Sequence, residues 1–256
     1  MHNHSKIILF SLVLFFSASC SISRPVNKTL SPPSDTKWIN IEIKNPSPYT
    51  KPFPLEARYI SYSCQKKRIS GFDGSIITEP SYNVIGIPML QEGGDIWRAK
   101  VAMIGGGSCK WTLNVVDLGI EYIDATHLDK ELVPGTAVGA RIAFDNDSSQ
   151  NGQYSSAHGD LYLSPKYYPF ISEWNLGEKK KELSLLGKKS FLHLRAYETN
   201  QIKFYPELDE TKVVRYIGIE KKIEGARSKI IYPDGSVGAN GEIFPDFDKV
   251  DKMKLP

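Results

Sequence analysis

The sequence contains no apolar run long enough to cross a bilayer. Its longest, Ile7 to Phe16 (IILFSLVLFF), falls short of the roughly 20 residues that a spanning helix needs, which excludes a retained transmembrane helix. Cysteine is scarce, at three residues, and there are five histidines, two of them at positions 2 and 4. Only His127, His158 and His193 lie further along, and no CxxC or HExxH spacing occurs. No metal site and no cofactor are expected from this. Neither sign of charge dominates: Lys plus Arg is 32, Asp plus Glu is 29, and the formal net charge is +3. Bulk charge therefore points to no nucleic acid and to no strongly acidic partner. Signatures of hydrolysis and phosphate binding are missing as well. There is no GxSxG. Gly105-Gly106-Gly107-Ser108-Cys109 lacks the GxxxxGK[ST] pattern and reads as a tight turn or bulge that brings Cys109 towards Cys64. Asp145 to Gly152 fails as an EF-hand loop, with Gln150 and Ser156 where Gly and Glu belong. His158 stands near Ser155, Ser156 and Asp160, but triad members come from distant chain positions. No catalytic residue is assigned, and the chain is not expected to be an enzyme.

What the sequence does have begins at its N-terminus. Met1 to Lys6 is short and polar, Ile7 to Phe16 is apolar, and Ser17-Ala18-Ser19 is a run of small residues. That layout predicts a secretory signal peptide over 1–19. Residues 20–37, with Pro25, Pro32 and Pro33 among Ser, Asn and Thr, predict a flexible tether. From Trp38 the signals are mostly β. Ile39, Ile41 and Ile43 recur at a period of two. Similar strand signals cover 57–64, 82–87, 96–103, 111–116, 137–144, 160–163, 191–197, 213–220 and 228–232. Phe72-Asp73-Gly74, Gly93-Gly94-Asp95, Asn151-Gly152 and Pro233-Asp234-Gly235 supply turn chemistry between them. Helices are predicted only over 176–188, rich in Lys, Glu and Leu, and briefly over 124–132. The fold class expected is mainly β: an antiparallel sandwich or packed sheets with one or two short helices. Residues 38–256 are expected to form one domain, with a division near the polar stretch 145–160 as the alternative.

With Cys20 set aside for a lipid, as the resemblance below implies, Cys64 and Cys109 form the pair expected to bond in an oxidising compartment. The loop of about 46 residues would contribute roughly 4 kcal/mol by the chain-entropy model. Candidate partner-binding residues fall in two places. Tyr167, Tyr168, Phe170 and Trp174 form a dense aromatic group whose proline argues against a regular strand, so 164–174 is the first candidate for an exposed face. The second is the 65–75 loop with Lys66, Lys67 and Arg68.

Two resemblances add to this reading. Ser17-Ala18-Ser19-Cys20 resembles the bacterial lipobox, although Ser17 stands where that motif usually has Leu. The resemblance implies cleavage before Cys20, lipidation of that cysteine, and an envelope protein facing the periplasm. Ser21 in place of Asp implies the outer membrane. The lipobox, the Pro/Ser tether, the β-rich domain and Gly105-Gly106-Gly107-Ser108-Cys109 together are similar to lipoproteins encoded beside type VI secretion phospholipase effectors. That resemblance implies an immunity protein that binds a toxin and blocks it sterically. An envelope enzyme or accessory factor acting on glycan or lipid, and a structural component of a secretion or surface assembly, remain the alternatives.

Overall fold

The computed structural model describes residues 26–254, so the signal segment and Cys20 lie outside the described residues. Among the described residues the chain is mainly β, with several mixed sheets packed together and a single short α-helix. The alternation read from the sequence decides which face turns inward: in β1 (Trp38–Lys44) Ile39, Ile41 and Ile43 are all buried.

The first sheet runs β12 (Leu161–Leu163), β16 (Gln201–Phe204), β1, β6 (Ile96–Ala102), β5 (Leu90–Gly93). The second runs β11 (Ser155–His158), β15 (Phe191–Tyr197), β10 (Val138–Ala143), β8 (Trp111–Tyr122), β3 (Leu55–Ile69), β4 (Ile76–Ile87). Two short strands, β2 (Thr50–Pro52) and β7 (Ile104–Gly106), also pair with β8. The third sheet runs β19 (Lys229–Ile231), β18 (Val214–Ile217), β13 (Lys166–Trp174), β14 (Lys180–Leu186), β9 (Val133–Pro134), with β17 (Glu207–Leu208) beside β13. Antiparallel hairpins such as β3–β4 coexist with parallel pairings, among them β1 with β16 and β10 with β15. The parallel pairs join segments far apart in sequence, and no local turn announces them. Helix α1 (Phe247–Lys252) is capped by the Asp246 side chain, which accepts from the amides of Asp248 and Lys249.

The main core gathers side chains from all three sheets, Ile41, Trp111, Val116, Ile142, Phe204 and Leu183 among them. It draws on residues from both sides of the polar stretch 145–160. A second, smaller core lies under α1, where Tyr168, Phe170, Val214, Ile230, Tyr232 and Val250 pack together.

Four sequence expectations are corrected. Residues 166–174 form a strand inside the third sheet, and both of its faces are covered. Tyr167 and Ile171 point into the main core, and Tyr168 and Phe170 into the smaller one. Pro169 is tolerated because its missing N–H falls at a gap: on that side β17 pairs only with Lys166 and Tyr167, and β18 begins at Phe170. The predicted helix over 176–188 is replaced by β14. Its Leu183 and Leu185 are buried in the main core at strand spacing, so tertiary packing overrides the helix propensity of Lys, Glu and Leu. Residues 124–132 form turns instead of a helix, beginning with the Asp124 carboxylate accepting from the Thr126 amide.

Over 26–37 the expected tether is also corrected, because the chain from Val26 onwards is docked on the second sheet. Val26 and Leu30 pack on the main core, the Trp111 indole donates to the Asn27 carbonyl (3.1 Å), and Ser31 bridges to Gly106. The glycine run makes this docking fit. A Cβ at Gly106 would lie 2.2 Å from the Ser31 carbonyl oxygen, and one at Gly107 2.4 Å from that of Thr29. Both glycines also hold positive φ, at 61° and 72°.

Candidate binding surface

Beyond residue 61, β3 leaves the scaffold. Up to Ile60 it is flanked by β4 on one side and β8 on the other; past Ser61 only β4 accompanies it. The ladder resumes after a bulge, from Gln65↔Pro80 to Ile69↔Ile76, and forms a two-stranded arm that ends in the turn 70–75. At about 3.3 Å per residue, five residues on each strand carry the turn roughly 17 Å outward. Of the 65–75 stretch, 65–69 is therefore strand, and the loop is confined to the turn 70–75.

The tip is apolar. Phe72 is 100% exposed, Ile69 73% and Ile76 71%, and Ile69 and Ile76 sit directly across from each other. The turn beneath them is ordered by its own hydrogen bonds. The Ser70 amide donates to the Ser75 carbonyl (2.7 Å), and the Asp73 carboxylate accepts from the Ser75 amide and hydroxyl. Those bonds hold the Asp73 pKa below the usual aspartate value, with the Ser70 and Ser75 hydroxyls as the main cause. Of the three arm cations, Lys66 and Arg68 both pair with Glu79, at 3.1 and 2.9 Å. Lys67 has no carboxylate partner among the described residues.

The base is clamped. Cys64, in the bulge, is disulfide-bonded to Cys109. The Cys64 amide donates to the Ser61 hydroxyl, which in turn donates to the Cys109 carbonyl. On the neighbouring face Tyr62 donates to Asp145 (2.9 Å) and Tyr82 to Asp147 (2.8 Å). Desolvation, reinforced by these carboxylates, pushes both phenols up to about 12. Arg58 and Lys66 lie over the Tyr82 ring, at 5.3 and 5.9 Å. Asp145 and Asp147, in the stretch that fails as an EF-hand loop, thus serve as acceptors that lock the arm to the scaffold.

The structure separates the candidate residues. Lys66, Lys67 and Arg68 line the arm. Tyr167, Tyr168 and Phe170 are buried and cannot meet a partner in this fold. Trp174 is 46% exposed at the end of β13, where its indole donates to Glu182 and its ring leans on Tyr216. His158 stacks on Tyr197, and Asp160 accepts from the amides of Asn200 and Gln201, so these two groups are engaged separately. Sequence reasoning missed the Tyr62 and Tyr82 clamp, because its acceptors lie 83 and 65 residues away. The arm did leave one signal: after Cys64 the run Gln65-Lys66-Lys67-Arg68 is polar at every position, as befits a strand with neither face on a core.

Two adjoining cavities open at the end of the first sheet, and Asn45, Pro46 and Asp95 line both. One, of about 620 Å³, has Trp97 and Lys51 in its wall; the other, of about 530 Å³, has Tyr162, Tyr205 and Glu207. Among the described residues no three His, Cys, Asp or Glu side chains gather as a metal set.

Fold and surface together define a mainly β protein of packed mixed sheets that holds out a disulfide-stapled hairpin arm. No known protein family, no curated protein and no solved structure matches the chain.

Proposed function

We propose that this chain is a lipid-anchored, periplasm-facing binding protein that acts as an immunity protein. It grips a toxin effector of the type VI secretion phospholipase kind and blocks it sterically. The observation that carries the reading is the arm: an ordered hairpin, clamped at its base, with Phe72 entirely in solvent. Exposing three large apolar side chains on one tip is unfavourable in water and favourable in a partner's cleft. Each contributes about 1.5–3 kcal/mol when fully buried. A preformed turn lowers the ordering cost of association. The lipobox-like Ser17-Ala18-Ser19-Cys20 supports the anchor.

Co-expression with a phospholipase toxin encoded beside the gene tests the proposal. Cells carrying the chain should survive and the toxin should co-purify with it; death of those cells would refute the immunity role. For the anchor, Cys20→Ala should move the protein from the membrane to the soluble periplasmic fraction and abolish acyl labelling, and an unchanged fractionation would exclude lipidation. The adjoining cavities favour a second reading, an accessory factor that takes an envelope glycan or lipid between Trp97 and Tyr205.

A further inference from the structure

Natural sheets protect their edges, because a free edge presents unpaired N–H and C=O groups to any passing strand. The ends of the three sheet paths follow this rule with one exception. β12 and β19 are three residues long, β5 and β11 four, and β9 two. β4 is twelve residues long and pairs on one side only, with β3. Among the described residues no backbone group from another segment bonds to its outer side.

Pro80 divides this edge. Residues 76–79 belong to the arm, and 81–87 lie against the scaffold, paired in unbroken register with 55–61 of β3. β3 is itself held by β8 over 56–60, across a bulge between Arg58 and Tyr59, so the edge from Ser81 to Ile87 is backed by two strands and already in strand geometry. No proline interrupts those seven residues. Their exposed face has a definite chemistry. Val84 is half-exposed, and Arg58 sits directly across from it. Arg58 bonds the Asn114 side chain (2.7 Å) and lies over Tyr82, and it has no carboxylate partner among the described residues.

We infer that the outer edge of β4 over Ser81–Ile87 is a strand-docking site, which takes an extended segment of a partner protein with apolar and acidic side chains alternating along it. Main-chain hydrogen bonds supply the affinity, and a carboxylate beside Arg58 supplies the register. The edge continues into the arm, so one partner would meet the added strand and the Phe72 tip together. Naming a protein strand as the occupant rests on the protein-binding reading above.

The test uses the purified protein and a synthetic capped heptapeptide, Ile-Glu-Val-Glu-Ile-Glu-Val, with hydrogen exchange read residue by residue. At saturating peptide, alternate amides between Ser81 and Ile87 should slow at least tenfold while those of β5 and β11 stay unchanged. N-methylation of the peptide along one edge should abolish binding, and along the other it should have no effect. Arg58→Ala should weaken binding about fivefold. Absent protection on β4, protection spread over other edges, or a β4 edge already closed by a second copy of the chain would each overturn the proposal. Peptide binding without any toxin binding would leave the edge site standing and remove the immunity reading; rescue by a chain whose β4 edge takes no peptide would do the reverse.

Discussion

Phe72 and Tyr167 are both aromatic, and their surroundings give them opposite consequences. Tyr167 is buried in the main core, and burial raises its phenol pKa. Tyr167→Ala should cost about 3–5 kcal/mol, read as a lowered denaturant midpoint. Phe72→Ser removes a side chain that touches solvent alone, so its stability should stay within about 0.5 kcal/mol of the parent. Glu42 makes a pH-dependent contribution. It is buried, accepts from the Tyr205 hydroxyl and pairs with Arg98. The Tyr205 bond, with help from Arg98 and against burial, holds its pKa below the ordinary value of 4.5. A depressed folded-state pKa means that its stabilisation is present above that ordinary value and is lost as pH falls below it. Acid titration of stability should therefore be flatter in Glu42→Gln than in the parent, which should lose its advantage of about 1–3 kcal/mol as the carboxylate protonates. Equal slopes in the two proteins would contradict this. No residue-level rule on the sequence separates Phe72 from Tyr167. Each sits in a run dense with either polar or aromatic neighbours, and only the tertiary placement of the strand decides which one meets water.

Among elements, the hairpin β3–β4 was half legible. Its turn, Phe72-Asp73-Gly74, and the scaffold halves of its strands, 57–64 and 82–87, follow from composition and turn residues, whereas 65–75 reads as a loop. Its projection does not follow from them, since that depends on where β8 stops pairing, at Thr112 opposite Ile60. β13 and β14 show the limit from the other side. The Tyr-Tyr-Pro-Phe run looks exposed until β17 and β18 are known to share one of its edges, and Lys180–Leu186 looks helical until Leu183 and Leu185 are known to face a core. The disulfide was legible once the lipobox resemblance set Cys20 aside and left an even pair, and it falls at the hinge of the arm. Replacing both partners, Cys64→Ala with Cys109→Ala, should lower stability by about 2–4 kcal/mol. It should also speed hydrogen exchange in 61–69 more than in β10. Uniform change across the sheets would mean that the bond stabilises the whole chain without holding the arm in place.

At the scale of the whole molecule, a rigid body of packed sheets carries two distinct features at neighbouring positions. The described chain begins at Val26 against the second sheet, and Lys28 is held by the Asn83 side chain (2.8 Å), three residues past Pro80 at the foot of the arm. Cys20 is six residues before Val26, and an extended chain of that length spans at most about 20 Å. If anchored at Cys20 as proposed, the chain would hold the foot of its arm close to a membrane surface. Sequence reasoning reached the mainly β class through periodicity and turn residues. It reached Lys66, Lys67 and Arg68 on the arm but not the clamp at its base, because that clamp arises from contacts between segments dozens of residues apart. The most direct measurement is the affinity of the purified toxin for the parent protein and for the triple variant Ile69→Ser, Phe72→Ser, Ile76→Ser, with thermal unfolding of both recorded alongside. The arm predicts unchanged unfolding, at least a hundredfold weaker binding and loss of protection in cells; a variant that folds, binds within twofold of the parent and still protects would contradict it.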